Sequence, residues 1–163
     1  MTLRHARAGT LAVLIACMAS LTTPQGPSAT ASASPDASTS SAEAGAKHRI
    51  NAFRARNGVR ALRSSRSLNR SASAYARFML RRGYFGHQPR IRASARFSRL
   101  GEMLALQPGR RPSPGVAVRG WAGAPGHRAV LLIAGFRQIG LGAATGRFRG
   151  REVTMWVAQV ARR

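Results

Sequence analysis

Cysteine occurs once in the 163 residues, at Cys17. Everything beyond that point has no thiol, no disulfide and no thiolate ligand for a metal, so its stability must come from packing. Acids are nearly as scarce, with 4 Asp plus Glu against 27 Lys plus Arg. From residue 44 onward only Glu102 and Glu152 remain, and glycosidase chemistry would need both of them about 5 to 9.5 Å apart across a sugar. Neither a G-x-S-x-G nucleophile elbow nor an H-E-x-x-H metal motif is present. A membrane-spanning stretch is missing too: the best candidate, Ala8 to Leu21, has roughly 14 residues where a spanning helix needs ~20.

That apolar run follows Arg4 and Arg7 and precedes small and hydroxylated residues, which is the layout of an export signal over residues 1–21. The rest of the chain is then secreted or extracellular. Leu14-Ile15-Ala16-Cys17 resembles the lipobox of bacterial lipoproteins, which leaves two readings open: lipidation of Cys17 to give a membrane-anchored lipoprotein, or ordinary cleavage with Cys17 as a small apolar residue. Residues 22–46 are dominated by Ser, Thr, Ala, Pro and Gly with almost no large apolar side chain. Such a segment buries too little to offset its ordering entropy, so it reads as a disordered tether. What remains, residues 47–163, has room for one domain.

The charge belongs to that domain. The formal total is +23, and residues 44–163 still carry +23, because the preceding stretch removes two arginines and two acids. All the basic residues but Lys47 are arginine, whose planar, permanently charged fork suits phosphate and carboxylate. This implies an anionic neighbour, either an extracellular polymer or a membrane surface. Binding to such a polyanion would release counterions and depend steeply on salt. The alternative is a solvated basic surface with no dedicated partner. Sequence-specific DNA binding is not expected, since the arginines are spread over nearly every segment and no helix-turn-helix pattern occurs.

Ile50 and Phe53 place a first helix from Ala46 to the Asn57-Gly58 stop. A second follows, with Ser65 or Ser67 as N-cap, apolar residues Leu68, Ala72, Tyr75, Ala76 and Met79 on one face, and Gly83 at its end. At 100° per residue Arg66, Arg70, Arg77 and Arg81 fall within about 60° of one another, forming an arginine stripe. Residues 84–112 read as loop, with a turn of helix near Ala93 to Phe97 and an extended piece around Glu102 to Leu106. Pro114 to Trp121 and Pro125 to Ile133 read as short helices. Arg137 to Ala144 and Val153 to Ala161 read as an antiparallel hairpin joined by a turn over Thr145 to Arg151.

Six segments, "INAFRARNGVRAL", "RRGYFGH", "GEMLA", "GWAGAPGHRAVLL", "FRQIGLGAA" and "MWVAQVA", resemble in order and spacing the bacterial branch of the CAP superfamily, the cysteine-rich secretory, antigen 5 and pathogenesis-related (SCP-like) proteins. The resemblance covers about residues 47–163. It implies an α+β fold, a three-layer α-β-α sandwich with a central antiparallel sheet. It also implies a cleft at which His87, Glu102 and His127 match the family's histidines and first acid. The second acid does not carry over, Ala124 standing in its place, and Met103, Leu104 and Val130 depart from the usual Asn-Ile and Asn.

Two histidines and a glutamate are the ligand set of a catalytic zinc site with one position left for water. His87, Glu102 and His127 could therefore hold zinc or another divalent metal and make a metal-dependent hydrolase. They could equally be hydrogen-bonded structural groups, with no cofactor and the catalytic residues, if any, unknown. A His127 in the first turn of a helix is kept neutral by the positive end of the dipole. Trp121, Tyr84, Phe85 and Trp156 read as core, the alternative being a cleft wall for a small apolar or sugar ligand. The first functional reading is accordingly an exported binding module of the cell envelope, and the second is the hydrolase.

Overall fold

Every residue from Val153 to Ala161 is buried, on both faces of the strand that contains them. A strand covered on both faces requires a layer above and a layer below. The computed structural model, which describes residues 37–163, has that arrangement. The export signal, Cys17 and the first part of the tether lie outside the described residues.

Strands β3 (Gln138–Phe148) and β4 (Arg151–Arg162) form the antiparallel hairpin. The connection is tighter than the sequence suggested. Arg149 and Gly150 alone make the turn, with φ of 48° and 79°, the doubly positive pattern of a two-residue type I′ turn that matches strand twist. β2 (Arg99–Pro108) lies antiparallel on the other side of β4, and a two-residue β1 (Arg63–Ser64) runs parallel to β3, giving the order β1-β3-β4-β2. The sheet is thus antiparallel except for that short edge. No helix forms at Ala93 to Phe97, where the chain only turns.

Helix α2 (Arg66–Arg82) covers one face. Ser65 caps it, accepting from Leu68 N, and Gly83 ends it in the left-handed conformation at φ 58°. Its apolar side packs with Leu104, Ala144, Phe148, Met155 and Val157. Under it β3 presents Gly140, Gly142, Ala144 and Gly146, and an added Cβ at Gly140 or Gly142 would lie 2.1 to 2.5 Å from atoms of α2, most of them backbone. The helix therefore rests directly on the strand.

The opposite face carries α1 (Ala37–Arg56), α3 (Pro114–Gly123) and α4 (Pro125–Leu132), packed around Trp121, Trp156, Met103, Leu131 and Phe136. Here the tether reading needs correcting. α1 begins at Ala37, so residues 37–46 are helical, with Thr39, Ala42 and Ala46 buried in line with Ile50 and Phe53. Small residues recurring at helical spacing let a helix approach closely without large side chains, and composition does not reveal that. Glu43 consequently joins the domain as a third carboxylate.

β3 has an outer edge beyond the short β1, and both helical layers close it. Asn69 Oδ1 of α2 accepts from Leu141 N at 3.1 Å, and Glu43 Oε1 of α1 accepts from Ala143 N at 2.8 Å. Burial pushes the Glu43 carboxyl above its ordinary range, against the lowering effects of that backbone bond and of Arg77. Arg54 is fully buried on the α1 side. Its Nε donates to Arg60 O at 2.8 Å, and its guanidinium reaches the carbonyls of Leu131 in the last turn of α4 and of Ile133 and Phe136 after it.

Candidate functional site

The three cleft residues come from three elements. Glu102 lies on β2, paired with Gln159 of β4, His87 lies in the loop after α2, and His127 is the third residue of α4. Glu102 is the hub, with its side chain only 5% exposed. Its Oε1 sits 3.0 Å from His87 Nδ1 and accepts from Gln88 N at 3.4 Å, while Oε2 accepts from Gln88 Nε2 at 2.6 Å and Gln159 Nε2 at 3.0 Å. Since a carboxylate only accepts, the proton between it and His87 belongs to Nδ1, on a ring that is otherwise exposed. The His127 ring stands edge-on to His87 at 6.5 Å between centroids.

This geometry brings the three residues together but not as three converging ligands. Both Glu102 oxygens are occupied by donors, and among the described residues no three His, Cys, Asp or Glu side chains form a group that could hold a metal ion. Tetrahedral zinc on two imidazoles would need their centroids about 5 Å apart, closer than the 6.5 Å found. The donor set does not fit a His2Glu zinc centre as arranged, and no metal-dependent step is derived from it. The two-carboxylate alternative fails on distance. Glu152 lies seven residues along β4 from the partner of Glu102, about 23 Å at strand rise, and is held by Arg110 at 3.4 Å and Arg147 at 3.9 Å.

His127 is held below the ordinary histidine range by burial and secondarily by His87. The direction is the one expected from its place at a helix start. A histidine depressed in the folded state contributes stability that is complete above its unfolded value near 6.5 and is lost as pH falls through the folded value. The urea midpoint of the wild type should accordingly drop on acidification from neutral pH, and His127→Gln should drop less over the same window. Glu43 acts with the opposite sign, because its raised carboxyl favours the folded state as pH falls, so the difference between the two proteins isolates His127.

Of the four aromatics, Trp121 and Trp156 are core, at 1% and 0% exposure. Tyr84 and Phe85 are not: both are exposed and flank the cleft, with Tyr84 Oη donating to His87 O at 3.4 Å. The reason is their place after the Gly83 cap, where the chain has left the face that packs on the sheet.

Beside the cleft lies the arginine surface. The stripe of Arg66, Arg70, Arg77 and Arg81 is exposed along α2. Arg70 and Arg81 line an open groove of about 1310 Å³ between α2 and the loop that follows it, while Arg77 lies on the side of Glu43. The loop contributes Arg90 and Arg92, and the lining contains no carboxylate. The loop is pinned at both ends: Ser94 N donates to Ser67 Oγ at 2.9 Å and Tyr75 Oη to Gly86 O at 2.5 Å. Burial, with Glu102 and Tyr84 nearby, pushes the Tyr75 hydroxyl up to about 12, so it remains a donor. Tyr75 and Gln88 join groove to cleft.

Sequence reasoning missed Gln88, Gln159, Arg90 and Arg92. Gln159 had a signal, as a lone amide inside the buried run of β4. Arg90 and Arg92 had none, because a loop has no period to align them with a helix.

The sequence matches the family model described as CAP, the cysteine-rich secretory protein family, over residues 47–160. A search of curated proteins found no match. Among solved structures, an extracellular SCP-domain protein of Bacillus anthracis is similar with a TM-score of 0.62 at 19% identity, covering 77% of this chain and 41% of that one. This chain thus spans well under half of that protein. An outer surface protein of Borrelia burgdorferi is similar at 0.61 and 16% identity over 76% and 93% of the two chains. Venom allergen-like protein 4 of Schistosoma mansoni follows at 0.57 and 13% over 78% and 90%. At such identities the likeness is one of fold, an α-β-α sandwich. The family match takes in nearly the whole sandwich together with His87, Glu102 and His127, and on that ground the chain belongs to the CAP, or cysteine-rich secretory protein, family.

Proposed function

We propose that this protein is an exported binding module that holds an anionic polymer of the cell envelope or its surroundings against its arginine surface. The observation that carries the reading is the groove beside α2, which Arg70, Arg81, Arg90 and Arg92 line with no carboxylate among them. Like charges gathered along one groove repel in the free protein, and an anionic ligand relieves that repulsion. Support for export comes from the N-terminal signal layout and from neighbours described as extracellular and outer surface proteins. No helix among the described residues is long and apolar enough to cross a membrane.

Polyphosphate is the simplest probe, a charged chain with no ring or sugar. If four phosphates are neutralised, as on a flexible single strand, log K should fall with a slope near −2.8 against log salt, about a 50-fold loss between 50 and 200 mM. Calorimetric titration of the full chain at the two salt concentrations measures it. No binding at the lower salt, or binding indifferent to salt, would refute the reading.

A further inference from the structure

Charge is not the groove's only chemistry. Phe78 lies in its lining at 40% exposure, stacked on the buried Tyr75 with centroids 5.8 Å apart and planes 14° from parallel. An aromatic ring fixed in place among arginines, on a surface open to solvent, is a stacking platform within an electrostatic channel. We infer that this groove binds single-stranded nucleic acid, its phosphates on Arg70, Arg81, Arg90 and Arg92 and a base stacked on Phe78. The inference rests on the polyanion reading above and names its ligand.

Two further features favour this ligand. The cations are all arginine, whose planar fork grips phosphate and also stacks on bases. The walls are already set by the Ser94–Ser67 and Tyr75–Gly86 bonds, so little ordering is left for binding. An anionic glycan fits less well. Its hydroxyls need acceptors, the lining has no carboxylate, and the amide of Gln88 is already committed to Glu102 at 2.6 Å. A duplex hides its base faces.

The test is fluorescence anisotropy of the full chain with a labelled oligothymidylate of about twelve nucleotides and an abasic phosphodiester strand of equal length and charge, with hyaluronate as competitor. The oligothymidylate should bind at least about 5-fold tighter than the abasic strand. Phe78→Ala should abolish that preference while leaving abasic binding intact, and Phe78→Trp should keep it. The Arg70→Ala/Arg81→Ala double variant should weaken both strands and flatten the salt slope. Equal binding of the two strands, a preference that survives Phe78→Ala, or hyaluronate binding tighter than the oligothymidylate would each overturn the proposal. Continued binding of polyphosphate in those cases would leave the polyanion reading standing, whereas loss of every polymer would remove both.

Discussion

Gly142→Ala should destabilise the domain by ~4 kcal/mol or more, far beyond an ordinary glycine substitution. The added methyl carbon would sit 2.3 Å from Ser73 N, 2.4 Å from Ala72 C and 2.5 Å from Ser73 Cα. All three are backbone atoms of α2, so no rotamer change can clear them and the helix itself must lift off the sheet. Lifting it opens the contacts of Leu68, Ala72, Ala76 and Met79, all fully buried. Gly120→Ala is the matched control. It lies inside α3 with nothing within 4 Å of the new carbon, so it should be neutral or stabilise by up to about 1 kcal/mol. Urea unfolding followed by fluorescence of the two buried tryptophans distinguishes the outcomes. A loss under ~1 kcal/mol for Gly142→Ala would mean that α2 does not rest on β3 as described.

Arg54→Met should lose ~3 to 5 kcal/mol, a large share of the roughly 5 to 15 kcal/mol that holds a small domain together. Methionine nearly matches the stem in volume, so packing is kept and the loss reports the guanidinium. What disappears is the set of donors to Arg60, Leu131, Ile133 and Phe136, of which Leu131 lies in the last turn of α4, where carbonyls lack helical partners, and Ile133 and Phe136 lie in the segment that follows. Burial, with Arg137 nearby, holds the Arg54 guanidinium below its ordinary value, so the charge is kept at a cost that only those bonds offset. Arg54→Lys should rescue little, because a single ammonium cannot reach carbonyls spread around a planar fork. Full stability in Arg54→Lys would show that charge alone suffices.

Most of the fold was legible because its signals are local. The second helix declared itself by an apolar stripe, a serine cap and a terminal glycine, and all three stand in the structure. The strand from Val153 was visible as a stretch rich in apolar and β-branched residues. The start of α1 was not, because its contact face is built from Thr39, Ala42 and Ala46, which read as linker when size is taken as the measure of burial. β1 was invisible for a different reason: two residues have no period, and only the distant β3 makes them a strand. In the cleft, His87, Glu102 and His127 could be picked out because residue type and order carry the family pattern. That Glu102 is saturated by Gln88 and Gln159 could not, since hydrogen-bond partners 14 and 57 residues away leave no trace in spacing. The groove shows the same division, with half its arginines readable from helical phase and half placed by a loop.

The closed edge of β3 also bears on how the chain reaches this state. The hairpin of β3 and β4 is contiguous in sequence and forms from local contacts, whereas Glu43 lies 100 residues from the backbone group it covers. A hairpin that assembles ahead of the helices therefore presents bare Leu141 and Ala143 amides, a template for a second chain. Asn69 and Glu43 act in this sense as late-arriving chaperones encoded in the same molecule, and the yield of refolding, more than the final stability, is where their loss should be felt.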